Sequence, residues 1–379
     1  MNKKIRYIFT IVPVCVCLFI FLGGCKNDST DKTKNDTGTN NLQTNLKLGE
    51  EYIEPGEEVY IENIARESAN KIKALYTNNL PAKRDAHPKI HGLVRAEVIV
   101  LADIPDSLKI GLFKTAKKYD AWIRYSAGGT LALSDTTKQG RGMAIKLVGV
   151  DGEKILEDDK NAKTMDFVMI NYPGFIAATL PVYDSMNTAI LGGTAQEFFK
   201  THQKEGEATF LLSNQPLFNP LQVQYFSQVP YKLGPHAVKY SAKPISNNTN
   251  APVPITSDNF FTMVMAEQLG KEDVYFELMI QVQTDPVKMP VENSLIIWDQ
   301  KESPFIPVAL IRIPKQVFTS PEQMEYGDNL SFNPWHTLPE HRPLGNINRT
   351  RRVVYETISK LRHQMNNKKR KEPTEMVNF

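Results

Sequence analysis

Apolar and polar residues along the middle of the chain follow a pattern that predicts many β-strands and few helices. Between residues 94 and 169, four runs rich in Val, Ile or aromatic residues are bounded by Gly, Asp or Asn. Five similar runs follow between residues 222 and 315. Such runs are typical of strands. The predicted strands are AEVIVLA, AWIRYS, GMAIKLV, DFVMI, QVQYFSQVPYKLG, HAVKYSAKP, VYFELMIQVQT, SLIIWD and PVALIRIPK.

Helical spacing of apolar residues predicts an amphipathic helix from Glu57 to Tyr76, ahead of these strands. A last helix is predicted from Ile347 to about Met365, a stretch without Pro or Gly. Shorter helices are expected in SLKIGLFKTAKKY, TAQEFFKTHQKE and FFTMVMAEQLG. Many strands with few helices favour an antiparallel β-barrel or sandwich, so we expect an α+β fold.

The N-terminus has the layout of a secretory signal peptide. Three basic residues precede an uncharged apolar run from Tyr7 to Leu22. This run is short for a membrane span, which needs ~20 apolar residues. The sequence LGGC resembles the lipobox of bacterial lipoproteins, so residues 1–24 are predicted to be removed and Cys25 to carry a lipid. An uncleaved anchor helix is the alternative. The lipid would hold the protein in the cell envelope, on the periplasmic or extracellular face, and Lys26 would favour an outer membrane in a Gram-negative host.

The composition of the rest of the chain predicts three segments. Residues 25–50 are polar and too poor in apolar side chains to fold, so we interpret them as a flexible tether. Residues 51–367 have the composition of a globular domain. The basic residues near the end favour a solvated C-terminal tail, residues 368–379.

Cysteine usage and charge exclude several functions. Of the three cysteines, Cys15 and Cys17 lie in the predicted signal peptide, and Cys25 would carry the lipid. The mature domain would then have no thiol for a disulfide, a zinc site, a catalytic cysteine or a thiolate-ligated haem. The formal net charge of +3 is too small to argue for nucleic acid as a partner.

The last predicted helix carries a recognisable pattern. Arg351 and Tyr355 are four residues apart and therefore share a helix face, and Arg362 follows seven residues later on the same side. This spacing resembles the proximal helix of haem catalases. The preceding SFNPWHTLPEHRPLG is similar to that family's approach to the helix. The resemblance implies a catalase-like barrel with haem b, in which Tyr355 ligates the iron, Arg351 supports it and Arg362 binds a haem propionate.

Four earlier segments resemble the same family in the same order. His91, in HPKIHG, looks like the distal histidine. IRYS places Arg124 and Ser126 like a strand that binds the haem propionate, and SDTTKQGRGMAIKL is similar to the segment after it. DFVMINYPGFI places Asn171 at the distal asparagine and Phe175 at the aromatic position that follows.

The chemistry implied by this resemblance is peroxide conversion. Fe(III) and a hydrogen-bonded Arg351 both favour a phenolate at Tyr355, and a tyrosine ligand is known from catalase. His91 would move a proton between the two peroxide oxygens. Asn171 would orient the peroxide, and Arg124, like Arg362, would neutralise a propionate.

The chain departs from the family in three places. Pro88 stands where catalases carry an arginine three residues before the distal histidine, the IRD after the aromatic pair is absent, and the C-terminal helical region of large catalases is missing. His87 and His91 also form an HxxxH pattern, but Pro88 disfavours a zinc-binding helix there.

In the third of these departures, the missing C-terminal helical region, the chain resembles the smaller catalase-related group, which includes organic-peroxide-dependent peroxidases and allene oxide synthase. The expected substrate is therefore hydrogen peroxide or an organic, lipid-derived hydroperoxide. A fatty-acid hydroperoxide isomerase and a non-catalytic haem-binding lipoprotein remain as alternatives. A homo-oligomer is left open.

Overall fold

The computed structural model describes residues 47–77, 80–245 and 255–379. The predicted signal peptide, the lipidation site Cys25 and most of the predicted tether lie outside these ranges, and their assignment stays a prediction. Within the described residues, no helix is both long and apolar enough to cross a membrane.

The strands of the described residues form one antiparallel sheet in the order β5-β4-β3-β2-β1-β9-β8-β7-β6. β5 also pairs with β7, which closes eight of the strands into a barrel. Closure leaves no free edge on the strands that form the ring. The strands are β1 (Ile90–Val100), β2 (Lys118–Ala127), β3 (Arg141–Val148), β4 (Thr164–Ile170), β5 (Tyr225–Phe226), β6 (Tyr231–Leu233), β7 (His236–Pro244), β8 (Val274–Val282) and β9 (Ile306–Ile313).

Alternate residues of each strand fill the barrel, because successive side chains of a strand point to opposite faces. Ile123 and Tyr125 of β2, and Met143 and Ile145 of β3, belong to one buried apolar cluster. The even-numbered residues of the same strands, such as Arg124, therefore point to the outer face of the barrel.

Helices cover the outside of the barrel. The first and last of them pack against each other, and Ile72 and Ile358 meet in a small apolar cluster between them. The described helices are α1 (Glu57–Leu75), α2 (Leu180–Leu191), α3 (Ala195–Thr201), α4 (Gln203–Ser213), α5 (Phe260–Leu269), α6 (Pro321–Asn329) and α7 (Asn346–Met365). The predicted helices at both ends of the domain are therefore confirmed.

The predicted helix SLKIGLFKTAKKY is wrong. The segment forms two short 3-10 turns, Asp106–Leu108 and Gly111–Phe113, before β2 begins. Gly111 has a φ of +55°, and a Cβ there would lie 2.5 Å from Nε2 of His341. The backbone N–H of Leu112 donates to the same nitrogen at 2.9 Å. A contact with a distant histidine thus replaces the next turn of a helix.

Two other segments differ from their predictions. SLIIWD forms turns around the buried ring of Trp298, where Gln281 donates hydrogen bonds to the carbonyl oxygens of Trp298 and Ser303. TAQEFFKTHQKE breaks at His202 into α3 and α4.

The C-terminal tail is solvated only in part: Lys368, Lys369 and Lys371 are exposed, whereas other residues of the tail contact the rest of the domain. Arg370 forms an ion pair with Asp159, with one Nη–Oδ distance of 2.7 Å. Glu372 lies 2.6 Å from the ammonium nitrogen of the fully buried Lys146. The ring of Phe379 packs edge-on against Trp122 at 5.9 Å. Two ion pairs and one aromatic contact therefore attach this segment to the outer surface of the domain.

At the other end of the domain, the last residues of the predicted tether contact the barrel. The N–H of Gly49 donates to Oε1 of Gln283 at 2.6 Å. Glu51 then pairs with Arg349 of α7 at 2.9 Å. These contacts hold the N-terminal strap, residues 47–57, against the start of α7.

Candidate active site

A cavity of about 720 Å³, including the space open at its mouth, lies between the outer face of β2–β4 and α7. Tyr355 from α7 and His87 from the segment before β1 both line it. The lining residues are Arg84, Asp85, Ala86, His87, Arg124, Ser126, Gly142, Met143, Ala144, Val168, Met169, Ser331, Phe332, Val354, Tyr355, Ile358, Ser359 and Arg362.

His87 is held in an unusual backbone conformation. Its φ of +59° lies in the left-handed region, which residues other than glycine rarely adopt. Its Nδ1 lies 3.0 Å from the hydroxyl oxygen of Ser126. A Cβ on Gly142 would lie 2.5 Å from the His87 ring, so the glycine makes room for the imidazole. Strain of this kind often marks functional residues.

The protonation of His87 follows from its surroundings. Burial, together with the positive charges of Arg124 and Arg351, lowers the pKa of His87 to about 3. The imidazole is therefore neutral at physiological pH. A neutral imidazole can accept a proton at one ring nitrogen and donate one from the other.

Three guanidinium groups, from Arg84, Arg124 and Arg362, line the same cavity. Arg124 donates to the carbonyl oxygen of His87 at 3.1 Å and to the Asp328 carboxylate at 3.1 Å. Arg84 lies 3.6 Å from that carboxylate, and Arg362 donates to the backbone oxygen of Asp328. Arg124 and Arg84 thus share the Asp328 carboxylate, and Arg362 binds the backbone of the same residue.

These arginines carry more positive charge than Asp328 can balance. Burial and the repulsion from Arg124 lower the pKa of Arg362 to about 10. Burial, with repulsion from Arg124 and Arg362, lowers the pKa of Arg84. Burial raises the pKa of Asp328, but Arg124 and Arg84 outweigh that effect and hold it below its ordinary value. The uncompensated charge suits an anionic ligand.

The remaining wall of the cavity is mainly apolar. Val168 of β4, Phe332, and Val354 and Ile358 of α7 face it. Within the described residues, no group of three or more His, Cys, Asp or Glu side chains could hold a bare metal ion. The site therefore suits an apolar ligand with anionic substituents better than a free cation.

His91 does not line this cavity. Its side chain is fully buried, 5.2 Å from the ring of Phe261 and 3.6 Å from the carboxylate of Asp135, and neither ring nitrogen has a hydrogen-bond partner among the described residues. Burial and the charge of Arg141 lower its pKa. The structure therefore brings His87, and not His91, together with Tyr355.

A sequence signal for His87 was present. Arg84 stands three residues before His87, which is the spacing that the catalase resemblance requires of the distal histidine. Pro88 is a departure from the family only if His91 is the distal histidine. If His87 takes that position, Arg84 is the arginine three residues before it.

Other predicted site residues lie near the cavity without lining it. Oδ1 of Asn171 accepts the backbone N–H of Arg141 at 2.7 Å. The guanidinium carbon of Arg351 lies 5.6 Å from the ring centre of Phe175, and Arg351 donates to Gln228 at 3.1 Å. Among the described hydrogen bonds, none joins Arg351 to Tyr355. The roles proposed for Asn171, Phe175 and Arg351 therefore stay predictions.

Neither a protein-family model nor a curated protein matches this sequence. Solved structures do match. A fungal catalase aligns with 16% identity and a TM-score of 0.55, over 78% of this chain and 60% of its own. Catalase A from Saccharomyces cerevisiae aligns with 17% identity and a TM-score of 0.61, over 77% and 64%. A bacterial catalase aligns with 16% identity and a TM-score of 0.57, over 88% and 67%.

The chain therefore has a catalase-like fold, which confirms the predicted α+β architecture with an antiparallel barrel, flanking helices and a C-terminal helix that carries Tyr355. It spans 60–67% of the length of these catalases.

Proposed function

We propose that this chain is a haem-dependent enzyme that converts peroxides. The observation that carries the proposal is the presence of Tyr355 and a neutral, strained His87 in one cavity. A phenol that can ligate ferric haem, as tyrosine does in catalase, and an imidazole that can move a proton together suit peroxide chemistry on haem.

The cavity residues fit haem b. Tyr355 would ligate the iron, and Arg84, Arg124 and Arg362 would bind the two propionates, whose charges would balance the excess of guanidinium groups. Val354, with the other apolar residues of the wall, would contact the macrocycle. When bound, haem would supply a redox-active ferric iron.

His87 would move the proton of the substrate. Because Nδ1 is engaged by Ser126, Nε2 is the atom that would take a proton from one peroxide oxygen and return it to the other. The lowered pKa of His87 keeps this nitrogen free to accept a proton at neutral pH. Ser126 would fix the ring orientation.

We also propose that the protein acts in the cell envelope on hydrogen peroxide or on organic, lipid-derived hydroperoxides. The lipobox-like sequence at Cys25 supports a lipid anchor, which would bring the enzyme close to oxidised lipids. Mass spectrometry of the mature protein should find Cys25 at the N-terminus with a lipid attached, and Cys25→Ala should lack this lipid. An N-terminus upstream of Cys25 with no lipid in the wild-type protein would contradict the lipid anchor.

Haem binding tests the proposal most directly. The full chain in detergent should take up ferric haem and show the absorption spectrum of phenolate ligation. Tyr355→Phe should lose that spectrum while keeping its circular dichroism, whereas Tyr119→Phe, which changes a tyrosine outside the cavity, should keep both. A folded wild-type chain that takes up no haem would overturn the proposal.

Product analysis then distinguishes the possible reactions. With a fatty-acid hydroperoxide and a reducing co-substrate, a peroxidase yields the alcohol and oxidises the reductant. An isomerase yields an epoxide or ketol without any reductant. Haem uptake without turnover of either peroxide class would leave a haem-binding lipoprotein.

A further inference from the structure

A second, smaller cavity lies on another part of the barrel surface, around Lys239 of β7. It encloses about 340 Å³, including the space open to solvent, and none of its lining residues lines the cavity that contains Tyr355. Trp298, Phe226 and Phe305 supply aromatic walls, and no acidic side chain lines it. Ile297 is 45% exposed and lies at the solvent side of this cavity.

Lys239 is buried without a counter-ion. Its side chain is only 4% exposed, and its Nζ lies 4.9 Å from the centre of the Trp298 ring. Among the described residues, no carboxylate or hydrogen-bond acceptor pairs with this nitrogen. A cation over an aromatic face recovers part of the cost of burying a charge, but unpaired buried ammonium groups usually lose their proton instead.

The pKa of the Lys239 amine is consistent with this burial. Burial alone lowers the pKa of Lys239 to about 7. The hydroxyl of Tyr240, the other titratable group that lines the cavity, is bound to Nδ1 of His341 at 2.8 Å. About half of the Lys239 side chains are therefore neutral amines at pH 7, against fewer than about one in a thousand for an ordinary lysine in water.

The walls of the cavity are fixed around this amine. Gln281 lies directly opposite Lys239 in the sheet, and its amide nitrogen donates to the carbonyl oxygens of Trp298 and Ser303 at 3.1 and 2.9 Å. Gln228 is likewise held by a bond to the carbonyl oxygen of Gly174. The nucleophile thus lies in a small, preformed and largely apolar pocket.

We propose that Lys239 is a carbonyl-binding residue that forms an imine with short aliphatic aldehydes. The lone pair of Nζ forms a bond to the carbonyl carbon while the C–O π bond breaks, and the oxygen takes a proton. Loss of that hydroxyl with a proton from nitrogen releases one water and leaves the C=N bond. No oxidant or reductant is required, and the reaction is independent of haem.

Reductive trapping with butanal tests the proposal in the folded full chain. Cyanoborohydride converts an imine to a stable butyl-amine, which peptide mass spectrometry locates. Lys243 lies on the same strand and is exposed, so it is the internal control. At pH 7 we expect Lys239 to be labelled at least about tenfold faster than Lys243, because its neutral fraction is larger. The excess should shrink as the pH is raised towards 10.

Variants complete the experiment. Lys239→Arg keeps the charge and cannot form an imine, so it should remove the fast labelling and leave the slow labelling of Lys243 unchanged. Because the rate comparison is made within the wild-type chain, it holds even if Lys239→Arg fails to fold. Labelling of Lys239 that is absent, or no faster than that of Lys243, would overturn the proposal and leave Lys239 as a packing residue against Trp298.

Discussion

The Nδ1 atom of His87 and the hydroxyl oxygen of Ser126 are 3.0 Å apart, although the two residues are separated by 39 positions in the chain. The hydrogen bond joins the segment before β1 to the outer face of β2, across the cavity that contains Tyr355. It fixes the orientation of the imidazole and leaves Nε2 without a hydrogen-bond partner among the described residues.

Ser126→Ala should therefore reduce peroxide turnover by roughly tenfold without changing haem uptake, because the ring loses its orientation but keeps its chemistry. Turnover per bound haem is the quantity to measure. Ser227→Ala, which removes a buried hydroxyl bound to the carbonyl oxygen of Val229, is the matched control. Unchanged turnover in Ser126→Ala would show that the hydrogen bond does not position the ring.

The two histidines at the start of β1 should behave differently. His87→Ala should keep haem binding and lose turnover by a factor of 10² to 10⁴, roughly the contribution of general acid–base catalysis. His91→Ala removes a ring that packs on Phe261, so it should lower stability and leave turnover per bound haem nearly unchanged. Loss of turnover in His91→Ala, with turnover kept in His87→Ala, would instead support His91 as the distal histidine.

Gly142→Ala tests how closely the barrel approaches the imidazole. A Cβ at this position would meet both Cε1 and Nδ1 of His87 at 2.5 Å, so the ring must move away from Ser126. We expect lower turnover per bound haem, similar to that of Ser126→Ala, with little change in the circular dichroism. Gly149→Ala, in a site with no atom within 4 Å, checks the effect of adding a methyl group elsewhere. Because Gly149 has a φ of +84°, some loss of stability is expected in that control.

Acid should destabilise the chain through His341. Its Nε2 accepts the N–H of Leu112, so Nδ1 carries the proton and donates to the Tyr240 hydroxyl. Burial lowers the pKa of His341 to about 3, well below the value of about 6.5 in the unfolded chain. Because the unfolded chain binds the proton first, the stability is full above about pH 6.5 and is lost as the pH falls towards 3.

His341→Gln should flatten that dependence by up to roughly 1.4 kcal/mol for each pH unit between 6.5 and 3. The measurement is urea unfolding of the haem-free chain at several pH values. His236→Gln, which changes a half-buried histidine on β7, should leave the slope nearly unchanged. Parallel pH profiles for His341→Gln and the wild type would contradict the prediction.

The C-terminal tail should contribute to stability through Glu372. Its carboxylate lies 2.6 Å from Nζ of the fully buried Lys146, which also pairs with Asp166 at 2.7 Å. Glu372→Gln should lower the free energy of unfolding by about 2 kcal/mol, since it removes a charged hydrogen bond to a buried ammonium group. The exposed Glu375 provides the control variant, Glu375→Gln, with an expected change within about 0.5 kcal/mol. Equal unfolding free energies for the two variants would show that the tail contact is not stabilising.

Local patterns in the sequence predicted most of the barrel and both terminal helices, because alternation and helical spacing act over a few residues. The wrong predictions arise from contacts between residues that are far apart in the chain. SLKIGLFKTAKKY has the apolar content of a helix, but the N–H of Leu112 bonds to His341, 229 residues further along the chain. The basic residues after Lys368 look solvated in sequence, yet Arg370 and Glu372 meet opposite charges from the barrel.

Sequence and tertiary structure also each determined part of the candidate site. The sequence by itself determined that Tyr355 and Arg362 share one face of a helix, because helical periodicity is fixed. For the histidine, HPKIHG suggested His91, and only the spacing between Arg84 and His87 pointed to His87, four positions earlier. The pairing of β1 with β2 shifts register between Ile90 and Gly92, so His91 lies at a β-bulge.

Tertiary structure decided between these histidines. The left-handed backbone of His87 brings its ring into the cavity, where Gly142 leaves space and Ser126 supplies the hydrogen bond. His91 instead packs against Phe261 of α5. Side-chain direction near the end of a strand depends on partners that lie far away in sequence, and these partners come together only when β1, β2 and β3 pair.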